Sequence, residues 1–466
     1  LSTPYRSSAH KSTRMSAHMS ALPVHVPATV APRFRVSSTH RARPSTPRRV
    51  SFTSPKATAD SDSMSTVAPF EFATAARVVF GCGSNARVPS LVKELTELEG
   101  CAEAPVLIVA GASDRFSAPL VSALEVAGIK SVVYHCPGGE PTVATAEAAI
   151  ALATDNGCGA VIAIGGGTPV DTGKCVAAVL TNGGDTPDLY DFLEVVGRAQ
   201  PLTKRCAPFV AVPTTAGPGA EVTKNSVLEA GDRKVSMRHP FMLPDVVVID
   251  PELTLSMPKD VTAHTGLDAL TQCIEPYVSN AATPIVDALS LEGIRIGARS
   301  LKNAYENGDD IHAREDMCLC SYYGGLSLAN AKLGAVHGFS GTLGGLLHAP
   351  HGAICAALLP HCCVTNVGVL EGRVMASDPE AAKKYLARYE TVAKAVTGDE
   401  NASVQDGVEW MKSLVKSCGV PGLGSMGLKE SDFDSVVQKS KESSSMKGNP
   451  VALTDEELKG MLRAAL

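Results

Sequence analysis

The sequence of 466 residues predicts an α/β domain followed by an all-α domain. Up to residue 250, short apolar runs alternate with longer segments of helical spacing, which is the pattern of βαβ units around a parallel sheet. After Pro251 the strand pattern ends, and helical spacing interrupted by glycine and proline continues to the last residue. A hydrophobic content of 44% with 19% charged residues is typical of a globular protein.

The elements of the α/β half follow one another in regular alternation. The predicted strands, in chain order, are Arg77–Phe80, Val106–Ala110, Val132–His135, Ala160–Ile164, Phe209–Val212 and Val246–Ile249. The predicted helices between them are Val88–Leu98, a stretch that ends at Ala127, and Val143–Asp155. We expect an α/β domain at residues 66–255, a helical domain at 256–466, and a ligand site in the cleft between them.

The first residues differ in charge from the rest of the chain. Residues 1–59 contain ten Lys or Arg, eleven Ser, seven Thr and neither Asp nor Glu. A segment rich in Arg and Ser and free of acids is typical of an organellar transit peptide, so residues 1–63 are predicted to be one, with a plastid ahead of a mitochondrion. The alternatives are a disordered basic tail, translated upstream sequence, or a cytoplasmic form that starts at Met64.

The remaining residues carry 32 basic and 48 acidic side chains, a net charge of −16. Such a surface repels phosphate backbones, so no nucleic-acid partner is expected. Uninterrupted apolar runs such as Val161–Ile164 are far below the roughly 18 residues that span a bilayer, so no membrane partner is expected either. Thirteen cysteines without regular spacing predict reduced, mostly buried thiols.

Two turns that follow predicted strands have the composition of nucleotide-binding turns. The first is Gly165-Gly166-Gly167, where glycine lets the backbone approach a pyrophosphate and the next helix presents free N–H groups. Thr168 is expected to cap that helix or to bond a phosphate oxygen, and Asp171 to lie in its first turn. The second turn contains Thr214 and Thr215. Two such turns on one sheet are expected to hold both halves of a dinucleotide.

The helical half carries a carboxylate and an amide on one helix face. Asp268 and Gln272 are four residues apart, so they lie one turn apart on a helix predicted at Thr262–Glu275 and ended by Pro276.

Two histidines beside glycines complete a set of candidate metal ligands. They are His337 and His351, and Pro350 is expected to begin a helix with His351 in its first turn. One carboxylate with two imidazoles forms a three-ligand site for Fe²⁺ or Zn²⁺. By themselves, three such residues are more often solvated or hydrogen-bonded than bound to a metal.

Taken together, four motifs resemble the iron-containing (group III) alcohol dehydrogenase family over residues 68–466. They are Gly165-Gly-Gly-Thr-Pro-Val-Asp171, Pro213-Thr-Thr-Ala-Gly217, Gly266-Leu-Asp-Ala-Leu-Thr271, and His337-Gly followed by Pro350-His351-Gly. The resemblance implies the two-domain, dehydroquinate synthase-like architecture, with a dinucleotide-binding domain and a helical domain that holds a catalytic divalent metal. It also implies a homodimer, and hydride transfer between NAD(P) and a small alcohol, aldehyde or ketone.

The same resemblance assigns roles to the matching positions of this chain. Asp268, His337 and His351 match the family's catalytic metal ligands. The positions that match its nucleotide-binding residues are Gly165, Gly166, Gly167, Thr168, Asp171, Thr214, Thr215 and Lys234, the last near the nicotinamide ribose.

The chain departs from the family pattern at two positions. Gln272 stands where the usual motif has His, and an amide oxygen is a weaker fourth ligand, for which His264 on the same helix is the substitute. Gly341 stands where many members have a His that assists proton transfer. The proton would then move through water, a ribose hydroxyl or His348.

The preference between the two cofactors is predicted from the turn after the second strand. The resemblance implies that NAD-preferring members have an Asp at the position of Gly111, where its carboxylate repels a 2′-phosphate. Here Gly111, Ser113 and Arg115 leave room and positive charge, so NADP is predicted over NAD.

Three other functions fit parts of the pattern. The maleylacetate reductases are similar to the family and point to a metal-independent reductase. The lyase dehydroquinate synthase shares the architecture, although Thr168-Pro169-Val170-Asp171 fits the dehydrogenases better. A catalytically weak nucleotide-binding protein would explain the absent histidines at 272 and 341.

Overall fold

A six-stranded parallel sheet is the centre of the N-terminal half. The computed structural model describes residues 67–184, 188–231 and 233–466. Its strands are β1 (Arg77–Phe80), β2 (Val106–Ala110), β3 (Ser131–His135), β4 (Ala160–Gly165), β5 (Phe209–Pro213), β6 (Asn225–Ala230), β7 (Arg233–Arg238) and β8 (Val246–Ile249). The sheet has the order β1-β8-β5-β4-β2-β3, while β6 and β7 form a separate antiparallel hairpin.

Helices cover the sheet and form the whole C-terminal half of the described chain. Four belong to the α/β half: α1 (Val88–Leu98), α2 (Asp114–Val126), α3 (Val143–Asp155) and α4 (Gly167–Asn182). The others are α5 (Lys259–Val278), α6 (Pro284–Glu306), α7 (Ile311–Asn330), α8 (Ala335–Leu347), α9 (His351–Val369), α10 (Pro379–Thr397), α11 (Val404–Ser417), α12 (Phe433–Lys441) and α13 (Asp455–Ala464). A π-helical turn, Leu370–Val374, and the short helix Met375–Ser377 prolong α9.

The two faces of the sheet are covered by different helices. Alternate residues of β2, such as Ile108, pack with α1 and α2 in one apolar cluster. Their neighbours, such as Leu107, pack with α3 and α4 in the other. Since β2 and β4 are adjacent and the helices after them lie on opposite faces, the sheet has a switch point between β2 and β4. Ligands of open α/β sheets bind in the crevice at such a point.

The predicted α/β half followed by a helical half is confirmed, and several elements have the predicted bounds. Two features differ from the prediction. Pro276 does not end its helix, because α5 continues to Val278 with the proline inside its last turn. The hairpin β6–β7 was not predicted, although its strands flank Gly231 and Asp232, a pair typical of two-residue hairpin turns.

The structure does not test two of the predictions, the transit peptide and the domain boundary. The predicted transit peptide, residues 1–63, lies outside the described residues. Ala68–Leu466 forms one compact unit, so the predicted boundary at 255/256 stays a prediction.

One helical stretch is long and apolar enough, by length and composition only, to cross a membrane. His351–Ser377 passes a length and composition test for a membrane span, but 72% of its most apolar window is buried inside the protein. A core helix of a soluble protein passes the same test, so the stretch is weak evidence for a membrane.

Candidate active site

The first predicted nucleotide turn lies between β4 and α4. Gly165 ends the strand with φ 154°, and a Cβ there would lie 2.5 Å from Cγ of Pro169. Gly166 is the N-cap of α4, and no side chain caps this end. The first N–H groups of α4 are therefore available to an anion.

The predicted cap by Thr168 and the predicted first-turn position of Asp171 are wrong, while a bond from Thr168 to a phosphate oxygen stays a prediction. Thr168 does not cap α4, because its hydroxyl donates to the carbonyl of Gly139 at 2.8 Å. Asp171 is the fifth residue of α4 and so lies beyond its first turn. Burial raises the pKa of Asp171 to about 6, although Lys174 and the N–H of Val227 act in the opposite direction.

A cleft of about 280 Å³ opens at the carboxyl ends of β2, β3, β4 and β5. Its lining includes Gly111, Ser113, the three consecutive glycines Gly165–Gly167, and Thr214. Thr215 lies beside it, since its Cγ2 is 3.3 Å from where a Cβ of Gly166 would be. The structure thus brings residues of the two predicted nucleotide turns together with Gly111 and Ser113, at the switch point of the sheet.

Lys234 lies on β7 and reaches the helical half. Its Nζ is 3.0 Å from Oε1 of Glu140, and its Cε is 3.5 Å from where a Cβ of Gly344 in α8 would be. With only 13% of its side chain exposed, the lysine lies between the hairpin and α8.

The candidate metal ligands converge from three helices. Asp268 on α5, His337 on α8, and His351 with Cys355 on α9 place one ligand atom each within 4.8 Å of all the others. Oδ1 of Asp268 is 3.2 Å from Nε2 of His337 and 3.9 Å from Nε2 of His351. Sγ of Cys355 is 3.8 Å and 3.7 Å from the same two nitrogens. We call these four residues the ligand cluster.

Glu275, one helical turn beyond Gln272 on α5, orients His337. Its Oε2 accepts from Nδ1 of His337 at 2.6 Å, and its Oε1 accepts from the N–H of Val336 at 2.7 Å. When the imidazole is neutral, this bond keeps its N–H at Nδ1, so the lone pair of Nε2 points into the ligand cluster. A carboxylate behind a histidine in this way is typical of metal sites.

Gln272 contacts the ligand cluster through Asp268, whereas His264 does not belong to the cluster. The amide of Gln272 donates from Nε2 to Oδ2 of Asp268 at 2.9 Å, and its buried Oε1 has no hydrogen-bond partner in the described chain. A ligand role for Gln272 stays a prediction. The carbonyl of His264 lies 2.1 Å from where a Cβ of Gly352 would be, so α9 packs directly on α5 at that residue.

The charges of the ligand cluster depend on one another. Burial acts to raise the pKa of Asp268, but His351 and His337 bring it below its ordinary value. The same two imidazoles lower the pKa of Cys355 against the effect of its burial. Burial acts to lower the pKa of His337, yet Cys355, Asp268 and Glu275 raise it well above its ordinary value. Anionic oxygen and sulfur around a shared positive charge suit a bound cation, so these residues fit a divalent metal.

The second nucleotide turn packs against the helix that carries Asp268 of the ligand cluster. Gly217, in the second turn, packs so closely on α5 that a Cβ there would lie 2.4 Å from Cβ of Thr265. Thr265 is one turn before Asp268 on the same helix. The second nucleotide turn is therefore anchored next to the helix that carries the carboxylate.

Sequence reasoning missed Cys355 and Glu275. The spacing of His351 and Cys355, four residues apart on one predicted helix, was a usable signal, but the cysteines were all treated as packing residues. Glu275 lies seven residues after Asp268, again on one face of α5. Its contact with α8 is tertiary, and no pattern in the sequence shows it.

Comparison with known proteins agrees with this geometry. The profile described as iron-containing alcohol dehydrogenase matches residues 75–251, and the profile described as Fe-containing alcohol dehydrogenase family, C-terminal, matches residues 262–466. Long-chain-alcohol dehydrogenase 1 of Geobacillus thermodenitrificans is 34% identical over 368 residues, which are 78% of this chain and 87% of that protein. The 1,3-propanediol dehydrogenase of Klebsiella pneumoniae is 32% identical over 349 residues, 73% of this chain and 85% of that protein.

A solved structure of 1,3-propanediol oxidoreductase superimposes with a TM-score of 0.75 and 28% identity, covering 86% of this chain and 100% of its own. The two profiles together span more than three quarters of the sequence and include both the nucleotide cleft and the ligand cluster. The chain therefore belongs to the iron-containing alcohol dehydrogenase family.

Proposed function

We propose that this chain transfers a hydride reversibly between NADP and a small alcohol, with Asp268, His337 and His351 holding a divalent cation. The observation that carries the proposal is the convergence of these three side chains from three helices, two of them buried and His351 partly exposed, in a chain that also has a nucleotide cleft. Family membership makes the chain a metal-dependent, NAD(P)-dependent oxidoreductase, and supports this function over the metal-independent reductase and the lyase.

Each part of the site has a separate task in this mechanism. The free N–H groups after Gly166 bind the pyrophosphate, and Thr214 and Thr215 bind the second part of the dinucleotide. Lys234 binds near the nicotinamide ribose, while Glu140 keeps its ammonium group in place. When bound, a divalent cation polarises the substrate oxygen as a Lewis acid, and the nicotinamide carries the hydride.

The remaining residues orient ligands or open a path for the proton. Glu275 keeps the lone pair of His337 Nε2 directed at the cluster, and Gln272 holds Oδ2 of Asp268 so that Oδ1 faces the histidines. Gly341 lies one turn after His337, and a Cβ there would meet no atom within 4 Å. Water in this space is the proposed route by which the alcohol proton leaves.

NADP is the proposed cofactor because Gly111 has no side chain at the position where an Asp would repel a 2′-phosphate. A Cβ at Gly111 would meet no atom within 4 Å, and Ser113 beside it is exposed. The exposed guanidinium of Arg115 stacks on the ring of Phe116, 5.4 Å from its centroid. Iron and zinc both suit the carboxylate and imidazole ligands.

The test is metal removal with both cofactors in parallel. The purified chain is stripped with a chelator, assayed with short alcohols and aldehydes, and reloaded with Fe²⁺ or Zn²⁺. We expect activity to fall with metal content and to return on reloading, with initial rates higher for NADPH than for NADH. Full activity in stripped protein would overturn the metal-dependent mechanism. A tenfold preference for NADH would overturn only the choice of NADP.

Two further proposals concern the context of the enzyme. The composition of residues 1–59, rich in Arg and Ser and free of acids, supports import of the chain into an organelle by residues 1–63, a plastid ahead of a mitochondrion. Fusing this segment to a fluorescent protein tests it, and diffuse cytoplasmic fluorescence would contradict it. A homodimer, expected from the family, is tested by light scattering of the purified chain, where a monomer mass would contradict it.

A further inference from the structure

Cys355 has no task in the mechanism above, although it lies inside the ligand cluster. It is on α9, one turn after His351, and it is fully buried. Its Sγ lies 3.8 Å from Nε2 of His337 and 3.7 Å from Nε2 of His351, and within 4.8 Å of the Asp268 carboxylate.

The separations between these atoms match the edges of a metal-centred tetrahedron. Metal–nitrogen and metal–oxygen bonds of about 2.0–2.2 Å with a metal–sulfur bond of about 2.3 Å give ligand–ligand distances of roughly 3.3–3.6 Å at tetrahedral angles. Four of the six separations are 3.2, 3.7, 3.8 and 3.9 Å, and the other two, Asp268 to Cys355 and His337 to His351, are within 4.8 Å. The four printed distances differ from these edges by a few tenths of an ångström at most, so small side-chain movements would bring these atoms toward one cation.

The hydrogen bonds around Cys355 also favour a cation, because they leave acceptor atoms facing one another. Glu275 accepts from Nδ1 of His337, so when this ring is neutral the lone pair of Nε2 faces Oδ1 of Asp268 and Sγ of Cys355. Buried acceptors that face one another without a donor or cation are costly. One thiol proton can satisfy a single acceptor, whereas a divalent cation satisfies all of them.

Other buried cysteines of the described chain are bonded in the ordinary way. Cys175 donates to the hydroxyl of Ser226 at 3.2 Å, and Cys273 to the carbonyl of Cys320 at 3.6 Å. Of the described cysteines, Cys355 is the one that belongs to a group of metal-ligating side chains.

We propose that Cys355 is the fourth protein ligand of the metal, bound as a thiolate. When the sulfur–metal bond forms, the Sγ–H bond breaks and its proton passes to solvent. A thiolate in place of a neutral amide or imidazole makes the site softer and more negative, so it favours Zn²⁺ over Fe²⁺ compared with an all-nitrogen-and-oxygen site. The inference rests on the proposed function, because it assumes that a cation occupies the ligand cluster.

The experiment uses Co²⁺ as a spectroscopic probe of the stripped full-length chain. A cobalt–thiolate bond gives a near-ultraviolet charge-transfer band that oxygen and nitrogen ligands lack. We expect this band in the wild type, and its loss in Cys355→Ser and Cys355→Ala. The matched control is Cys363→Ala, which removes a buried cysteine of the same helix that contacts Met411 and lies outside the cluster. The control should keep the band.

A competition titration with a chromogenic chelator gives a second readout. Losing a residue that only hydrogen-bonds to a metal ligand weakens metal binding roughly 10–100-fold. Loss of Cys355, as a ligand itself, should weaken Zn²⁺ binding at least as much. Cobalt bound to the wild type without the charge-transfer band would overturn the inference, and this result needs no variant to fold. A band that persists in Cys355→Ser would overturn it as well. Failure of the proposed function is separate, because stripped wild type would then keep its full activity.

Discussion

Replacing Glu275 with Gln should weaken metal binding about 10–100-fold without contact between the changed atom and the metal. Glu275 accepts three N–H groups: Val336 N at 2.7 Å, His337 Nδ1 at 2.6 Å and His337 N at 3.3 Å. An amide of the same shape has only one oxygen. It must therefore present its NH₂ group either to His337 or to Val336.

Only one of the two orientations leaves His337 able to bind a metal, and that orientation costs free energy. If the NH₂ group faces Nδ1 of His337, the imidazole proton must move to Nε2, and the lone pair needed by the metal is lost. If it faces Val336 instead, a buried N–H loses its acceptor, which costs about 1–3 kcal/mol. A loss of 10–100-fold in affinity corresponds to about 1.4–2.7 kcal/mol, so the two estimates agree.

The assay is a Zn²⁺ competition titration of stripped wild type and Glu275→Gln. Glu221→Gln is the matched control, since Glu221 is also a buried carboxylate but lies in the α/β half, close to Lys174. The control should bind Zn²⁺ like the wild type. An affinity of Glu275→Gln within about twofold of the wild type would refute the reasoning, because it would mean that the orienting hydrogen bond does not control the ligand.

Three further predictions test other parts of the site. Gly165→Ala should raise KM for the cofactor at least tenfold, because its Cβ would lie 2.5 Å from Cγ of Pro169. The control is Gly460→Ala, where a Cβ meets nothing within 4 Å. Equal KM values for the two variants would contradict the prediction. Gly111→Asp should lower the ratio of kcat/KM for NADPH to that for NADH at least tenfold by repelling the 2′-phosphate, and an unchanged ratio would show that the phosphate binds elsewhere. Lys174→Met should lower the free energy of unfolding by about 3–5 kcal/mol in urea, because Lys174 is buried, donates to Thr223 and Asn225, and balances Asp171 and Glu221. A loss below about 1 kcal/mol would mean that the buried charges are not coupled as described.

Much of the α/β half follows from local patterns in the sequence. Strands such as Val246–Ile249 are runs of buried apolar residues, and helices such as Val88–Leu98 have a clear apolar face, so their bounds were predicted correctly. The hairpin β6–β7 was missed because polar residues alternate with the buried apolar ones, so neither strand is a continuous apolar run. The end of α5 was missed because a proline removes one hydrogen bond but does not prevent a last turn that is well packed.

The candidate site could be predicted less completely than the fold. Glycine-rich turns and histidines beside glycines have recognisable local chemistry, and the structure brings Asp268, His337 and His351 together. The contact of Glu275 with α8 depends on how two distant helices cross, which local spacing does not determine. Cys355 was passed over because a buried cysteine is usually a small hydrophobic residue, and only its two imidazole neighbours distinguish it.

The central claim is that one divalent cation sits between Asp268, His337 and His351. Anomalous X-ray scattering from crystals of active enzyme, measured on both sides of the iron and zinc absorption edges, tests it most directly. The account predicts a single strong peak at about 2.0–2.2 Å from Oδ1 of Asp268 and from Nε2 of both histidines. Fully active crystals with no anomalous peak among these three side chains would contradict it.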